Sequence, residues 1–388
     1  MGLAFFPFVS PLPIGTDVQP TFFLAAMLSI AVWGLNYRIG KIDLLFIFMI
    51  LLTIFHQASV DSPIVSGLFR FAFAYIAFIF FMVFMHKISA RFIFLLALFH
   101  FCCLVINFIA PSQFAFIAEL FIRAFKVTSI GVRGASGFSP EPGFAGAIAV
   151  CLLAAAFAVR DARGPSRYFL ATVVLSVISV ALTRSGTGSL LLVGFLTIYY
   201  FKPHPKNVLV FAALLVAGMY VAANVNLGRG TDALRLIAQS PVEAFLSDRS
   251  MGARVLSALV SVFTIFEHPL GNGVGSFDDA SLALAQQYNL YRFAEGSESG
   301  KVGNLSMLAL YSVELGLPWL IFLATFFVWG LRKSGITAAP YLFLSFYFIL
   351  TTFSLAFPPT WFFFCLSINS CKLPKYLGTA PKESRIIT

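Results

Sequence analysis

Charge is scarce in this chain. Only 11% of its 388 residues are charged, while 59% are hydrophobic. That excludes an ordinary soluble domain, in which about a quarter of positions carry charge. Acid is scarcer still, with 16 Asp and Glu against 26 Lys and Arg, for a net charge of +10. The basic residues are scattered among short segments and not gathered into a patch, which speaks against nucleic acid. The five cysteines, Cys102, Cys103, Cys151, Cys365 and Cys371, lie in or at the ends of apolar runs without metal-type spacing. They read as small apolar packing. No acid-rich motif for a divalent metal and no Ser/His/Asp order stands out, so neither a metal nor another cofactor is expected. The first residues lack the basic segment of a cleavable signal peptide and are interrupted by Pro7, Pro11 and Pro13. The N-terminus therefore reads as uncleaved. There is no low-complexity segment, no internal repeat, and no sign of the related halves of many transporters.

What is present is apolar and continuous. Phe alone occurs 47 times. Repeated apolar runs of about 17 to 20 residues predict an all-α polytopic integral membrane protein; strict alternation, the mark of a β-barrel, is missing. Spans are expected near 20–37, 42–58, 66–85, 92–110, 143–159, 167–183, 187–201, 207–224, 304–331, 338–356 and 359–371. That makes about eleven, in a range of about ten to thirteen. The stretch 304–331 is long enough to contain a break at Gly316 or Pro318.

Loop charge alternates along the chain. Arg38 and Lys41; Lys87 and Arg91; Arg160, Arg163 and Arg167; Lys202 and Lys206; Arg332 and Lys333; and Lys372, Lys375, Lys382 and Arg385 fall in short segments almost free of acid. Short basic loops stay on the cytoplasmic side. The N-terminus, 59–65, 111–142, 184–186, 225–303 and 357–358 then face outward, and the C-terminus inward. Two outward loops are long: 111–142 has about thirty residues and 225–303 nearly eighty. Loops of that length are usually functional. The larger is expected to hold helices near 231–239 and 249–266. The second of these shows Met251, Val255, Leu259, Val262 and Phe266 at helical spacing, suited to a membrane surface or to packing over the bundle. The whole reads as a single membrane domain, 1–388.

The chemistry gathers on the outward side. Arg133-Gly-Ala-Ser-Gly-Phe-Ser-Pro-Glu141-Pro-Gly143 joins one cation and one carboxylate to three glycines and two prolines, between two long apolar runs. Glycine lets backbone approach a ligand, proline stiffens the turn, and arginine offers a fork of donors suited to phosphate. Arg184 occupies the only break between two spans, Thr183-Arg184-Ser185-Gly186, where a charge is costly unless paired or functional. Arg70 sits about one turn inside its span, where an ion pair within its own helix is the plain reading. Arg123, Lys126, Arg133, Arg184, Arg229, Arg235, Arg249, Arg254, Arg292 and Lys301 make ten outward cations. As a group they suit an anionic ligand, and a membrane-bound diphosphate is the natural candidate. Glu267-His268-Pro-Leu-Gly271-Asn-Gly273-Val-Gly275-Ser-Phe277 is a close-approach loop, not a nucleotide site, since no Lys-Ser/Thr follows and no βαβ unit surrounds it. Glu314, in an apolar helix, is expected to pair with one of the arginines.

Together these pieces resemble the O-antigen polymerase and ligase family of bacterial inner-membrane glycosyltransferases. Arg133 to Pro142 is similar to the family's arginine-bearing Gly-Phe…Pro segment before a span. Thr183-Arg184-Ser185-Gly186 is similar to its arginine turn. Arg254 followed by His268 to Phe277, and Asn304 leading into Glu314-Leu-Gly316, complete a match in order and spacing over about residues 120–330. The family's ligases place a His-Asn pair before that late helix; here Gly303-Asn304 stands without histidine. The resemblance therefore favours the Wzy-type polymerase over the ligase.

The resemblance implies a GT-C-like helical fold with a large helical outward loop, in the bacterial inner membrane. It implies a metal-independent glycosyltransferase whose substrate is an undecaprenyl-diphosphate-linked oligosaccharide. The product would be a surface polysaccharide such as O-antigen, and a chain-length regulator and a flippase would be partners beside membrane lipid. Diphosphate would fall to Arg133, Arg184 and Arg254, joined by Arg70 and Arg249. Glu141 is the first candidate for the base and His268 the second. A lipid-linked-sugar transporter is the rival from another class; it predicts central intramembrane charges and two related halves.

Overall fold

The computed structural model describes residues 1–10, 20–33, 37, 39–57, 64–122, 134–201, 240, 249–290, 306–351 and 354–369, of which 56–57, 64–68, 201, 249–254 and 369 are described as backbone alone. Every regular element among them is helical. In chain order they are α1 (Gly2–Phe5), α2 (Thr21–Trp33), α3 (Lys41–Gln57), α4 (Ile64–Phe84), α5 (Ala90–Ile109), α6 (Pro111–Glu119), α7 (Pro142–Arg163), α8 (Arg167–Thr183), α9 (Gly186–Phe201), α10 (Arg249–Glu267), α11 (Phe277–Gln287), α12 (Met307–Leu315), α13 (Leu317–Ser334), α14 (Ala339–Thr351) and α15 (Pro358–Asn369). Local chemistry sets several of the boundaries. Ser89 Oγ accepts the Phe92 N–H at 3.1 Å to start α5, and Ser306 Oγ accepts the Ala309 N–H at 3.0 Å to start α12. Pro142 occupies the first turn of α7, where an N–H would lack a partner anyway, and Gly164 at φ 84 ends that helix.

Phe69–Lys87, Ala90–Ile109, Pro142–Arg163 and Leu317–Thr351 are long and apolar enough to cross a membrane. The outer surface suits that setting. Phe55 is 80% exposed, Ile109 76% and Leu28 69%. Water penalises such surface at about 25 cal/mol per Å², and lipid does not. At the centre lies α7, in which every residue from Ala145 to Ala158 is buried. Its alanines and glycine let α5, α8 and α9 pack closely around it. At Gly146 a Cβ would stand 3.0 Å from the Gly188 Cα, so these two helices cross backbone on backbone.

A second group, α3, α4, α13 and α15, packs through aromatic rings. Phe46 meets Phe78, Phe322, Phe326 and Trp361 at centroid distances of 5.4, 5.4, 5.3 and 5.1 Å. Residues 1–10 run between the two groups: Phe5 on Phe362, Phe6 on Phe99, Phe8 on both Phe144 and Phe357, and the Ser10 N–H on the Phe121 carbonyl at 2.9 Å. The sequence reading groups the whole N-terminus with the outward loops. In the fold Met1 shares a groove with Lys87, and among the described residues it is the Ser10 end that bonds to the 111–142 segment, because Phe5, Phe6 and Phe8 bury between helices.

Ring contacts also fix helix direction. Phe71 meets Tyr311 and Trp319 while Phe78 meets Phe326, so α4 and α13 run parallel. Phe94 meets Tyr168 near the starts of α5 and α8, so these are parallel too. The tight reversal between α4 and α5 then brings Arg70, the end of α5, the start of α7, the Arg184 turn and the α12–α13 junction to one end of the bundle. At the opposite end Arg160 pairs with Asp161 at 3.0 Å and lies over the rings of Phe157, Phe169 and Tyr199. That makes it a stacked structural clamp.

Three expectations are refined. The stretch 304–331 breaks at Gly316, whose φ of 60 combined with ψ of −139 is a conformation essentially reserved for glycine. The 111–142 segment contains α6, and the larger loop contains α11. Helix 249–266 forms as α10, but its buried face is Leu256, Val260 and Thr264 with Ser257 and Ser261; Val262 is 49% and Phe266 78% exposed. The small and hydroxylated residues pack inward there. The expected span 207–224 and helix 231–239 lie outside the described residues.

Candidate functional site

The loop before α7 is held by main-chain bonds to two neighbours. Asn107, buried in α5, accepts the Ser136 N–H at 2.8 Å and the Gly137 N–H at 3.3 Å through Oδ1. The Ala135 N–H donates to the Leu182 carbonyl at 3.1 Å. Gly134, at φ 75, lies so close to the end of α8 that a Cβ there would stand 2.2 Å from the Thr183 oxygen and 3.0 Å from the Arg184 Cβ. The loop and the arginine turn, more than forty residues apart in sequence, are thus one packed unit. Asn107→Ala leaves two buried N–H groups without an acceptor, at about 1–3 kcal/mol. A lower unfolding temperature in detergent than wild type is the expected result.

Arg184 itself adopts φ 46 and ψ 28, the left-handed region, and its side chain is exposed. For a residue other than glycine that conformation costs about 1–2 kcal/mol. Its guanidinium lies 5.9 Å from the Phe108 ring centroid, over the end of α5. Glu141 precedes α7 as its N-cap; its carbonyl accepts the Ala145 N–H at 3.3 Å while its carboxylate is exposed and caps nothing. The starts of α7 and α9 lie side by side, since a Cβ on Gly143 would be 3.8 Å from Ser185 Oγ, which accepts the Gly188 N–H at 3.2 Å. Each helix start carries about half a positive charge and unpaired N–H groups. Two adjacent helix starts beside an exposed arginine make an anion-attracting surface.

A second cluster stands at the broken helix. Arg70 Nη1 lies 3.9 Å from Glu314 Oε2, so the pair joins α4 to α12, where the sequence reading expects a partner for Arg70 within its own helix. Glu314 Oε1 accepts the Gly275 N–H at 2.9 Å. The loop 268–276 wraps the end of α12: Asn272 N–H to the Val313 carbonyl at 2.9 Å, Gly273 N–H to the Glu314 carbonyl at 3.0 Å, and Leu317 N–H to the Pro269 carbonyl at 2.8 Å. These glycines give close backbone approach, as expected, but their partner is the orphaned carbonyl end of a helix.

Arg133 lies outside the described residues. Arg249 and Arg254 stand on the first turns of α10, described as backbone alone, on a helix that packs against α12 and α11. His268 is exposed, and its imidazole makes no hydrogen bond among the described residues. Neighbouring Glu267 is engaged, accepting from Gln287 Nε2 at 2.8 Å and from the Tyr288 hydroxyl. The Glu267 hydrogen bond holds the Tyr288 phenol above its ordinary range. Sequence reasoning overlooked Asn107 and His100. His100 is buried with Nε2 3.0 Å from the Ala145 carbonyl, so Nε2 carries the proton. Their signal was available as the polar residues within the apolar run 92–110.

Among the described residues, no group of three or more His, Cys, Asp or Glu could hold a metal ion. Comparison with protein-family models, curated proteins and solved structures finds no match.

Proposed function

We propose that this chain is a glycosyltransferase of about eleven spans, with a GT-C-like fold, that polymerises polyprenyl-diphosphate-linked oligosaccharide repeats in the bacterial inner membrane. In this reading the end carrying Arg184, Glu141 and Arg70 faces the periplasm. The growing glycan leaves its lipid diphosphate for a hydroxyl of a new lipid-linked repeat. The observation that carries the reading is the pairing of two helix starts with the exposed, left-handed Arg184. An anionic leaving group gains most from fixed donors that need no rearrangement during reaction. Arg184 and the helix starts hold the diphosphate, and Arg133, Arg249 and Arg254 are further candidates by resemblance. The apolar flank lets a lipid chain approach sideways. Glu141, at the lip of this surface, and His268, on the other cluster, are the exposed groups that could take the acceptor proton.

Glycan ladders from a strain lacking the protein test the reading. Single-repeat product marks a polymerase. Lipid-linked polymer without attachment to the lipid core would mark a ligase, and no external glycan a flippase; either of these contradicts the proposal.

A further inference from the structure

Glu314 is an unusual carboxylate for its surroundings. It is 1% exposed, and its two oxygens have different fates. Oε1 is fixed by the Gly275 N–H at 2.9 Å. Oε2 is buried and makes no hydrogen bond, with Arg70 Nη1 standing off at 3.9 Å and equally without a hydrogen-bond partner. Tyr311, one turn earlier on the same helix, is 0% exposed, and its hydroxyl faces Arg70 without forming a well-aligned hydrogen bond. Buried polar atoms are nearly always satisfied, and each orphan costs about 1–3 kcal/mol. Three such atoms of complementary kind in one cluster point to an absent polar group. An alcohol fits, because its oxygen can donate to Oε2 while accepting from the guanidinium. The outer edge of the cluster is the Arg70 side chain, which is 35% exposed.

We propose that Arg70, Tyr311 and Glu314 bind the acceptor sugar hydroxyl, and that Glu314 Oε2 takes its proton during transfer. The inference rests on the glycosyl-transfer reading. The acceptor oxygen forms a bond to the donor's anomeric carbon. The bond from that carbon to the diphosphate oxygen breaks, its electron pair leaving with the diphosphate, and the acceptor's proton passes to Oε2. Glu141 and His268 offer an exposed side chain with no fixed oxygen or nitrogen among the described residues; Glu314 is held at one oxygen and idle at the other. The charged and titratable groups facing it are Arg70 from α4, Tyr311 from its own helix and Asp278 from α11.

Glu314→Gln separates the roles, since its amide oxygen still accepts the Gly275 N–H while the base is lost. Purified protein would be assayed with polyprenyl-diphosphate-linked repeats across pH. Loss of a general base predicts a fall in kcat of about 100-fold or more, with KM for the lipid donor unchanged and the acid limb of the rate profile gone. Activity within about five-fold of wild type, or a retained acid limb, overturns the assignment. Should Glu314→Gln fail to reach the membrane, Glu314→Asp keeps a carboxylate. It is expected to be slower by about ten-fold or more with its acid limb intact, and a wild-type rate or a vanished limb contradicts the role. Wild-type protein that elongates nothing overturns the glycosyl-transfer reading itself. Active wild type with active Glu314→Gln overturns this inference alone.

Discussion

Arg184→Ala is expected to abolish polymer while leaving the protein in the membrane at its normal level. The two halves of that expectation have separate causes. Arg184 is exposed and, among the described residues, its guanidinium contacts only the Phe108 ring at 5.9 Å, so little packing is lost. Alanine at φ 46 carries the same backbone cost that arginine already bears. Arg184→Gly goes further, because glycine removes that cost while adding freedom to the unfolded chain, and the two nearly cancel. Both variants should therefore unfold within about 2–4 °C of wild type, matching a change below about 1 kcal/mol. Function should behave otherwise. Removing a preorganised donor from a developing anion costs about 100- to 1,000-fold. The left-handed turn itself does not need arginine, since glycine adopts it at no steric cost. Glycan of wild-type length from either variant contradicts this role.

Gly316→Ala should do the reverse and damage the fold. Gly316 sits at φ 60 and ψ −139, and a Cβ there would lie 2.2 Å from the Pro269 oxygen and 2.6 Å from the Gly271 nitrogen. Gly271, at φ 82, is its counterpart, with a Cβ position 2.3 Å from the Glu314 oxygen. Both clashes are with backbone, which cannot swing aside. Relief requires the loop 268–276 to part from α12, breaking the bonds to Val313, Glu314 and Leu317. Strain of about 1–3 kcal/mol, with about 0.5–1.5 kcal/mol for each lost bond, adds to several kcal/mol. Gly316→Ala is expected to unfold well below wild type in detergent and to gain a protease cut near 268–276. An unchanged melting curve would show that the loop does not depend on this contact.

Much of the helical plan is legible in the sequence. Span 167–183 coincides with α8, the break at Gly316 follows from glycine before Leu-Pro, and the Arg184 turn is marked by charge and glycine between apolar runs. The inward faces are less legible. In a chain bathed by lipid, hydrophobicity does not distinguish the packed side from the outer one. On α10 Val262 and Phe266 are exposed, while Ser257, Ser261 and Thr264 pack inward beside Leu256 and Val260. Long-range pairings were beyond reach for another reason. Arg70 and Glu314 lie 244 positions apart, and Asn107 meets Ser136 across a segment with no periodic signal. A lone polar residue in an apolar run announces that a partner exists without saying where. The candidate site shows the same division: its arginine turn and its glycine loops were identifiable, but their packing partners were not.

The most direct measurement is elongation by the purified protein. Reconstituted in lipid and supplied only with a polyprenyl-diphosphate-linked repeat, wild-type protein is expected to produce a ladder of longer lipid-linked glycans. One polyprenyl diphosphate should be released for each bond formed, read by mass spectrometry. Repeats that stay at single length, or cross the bilayer without joining, would contradict the account.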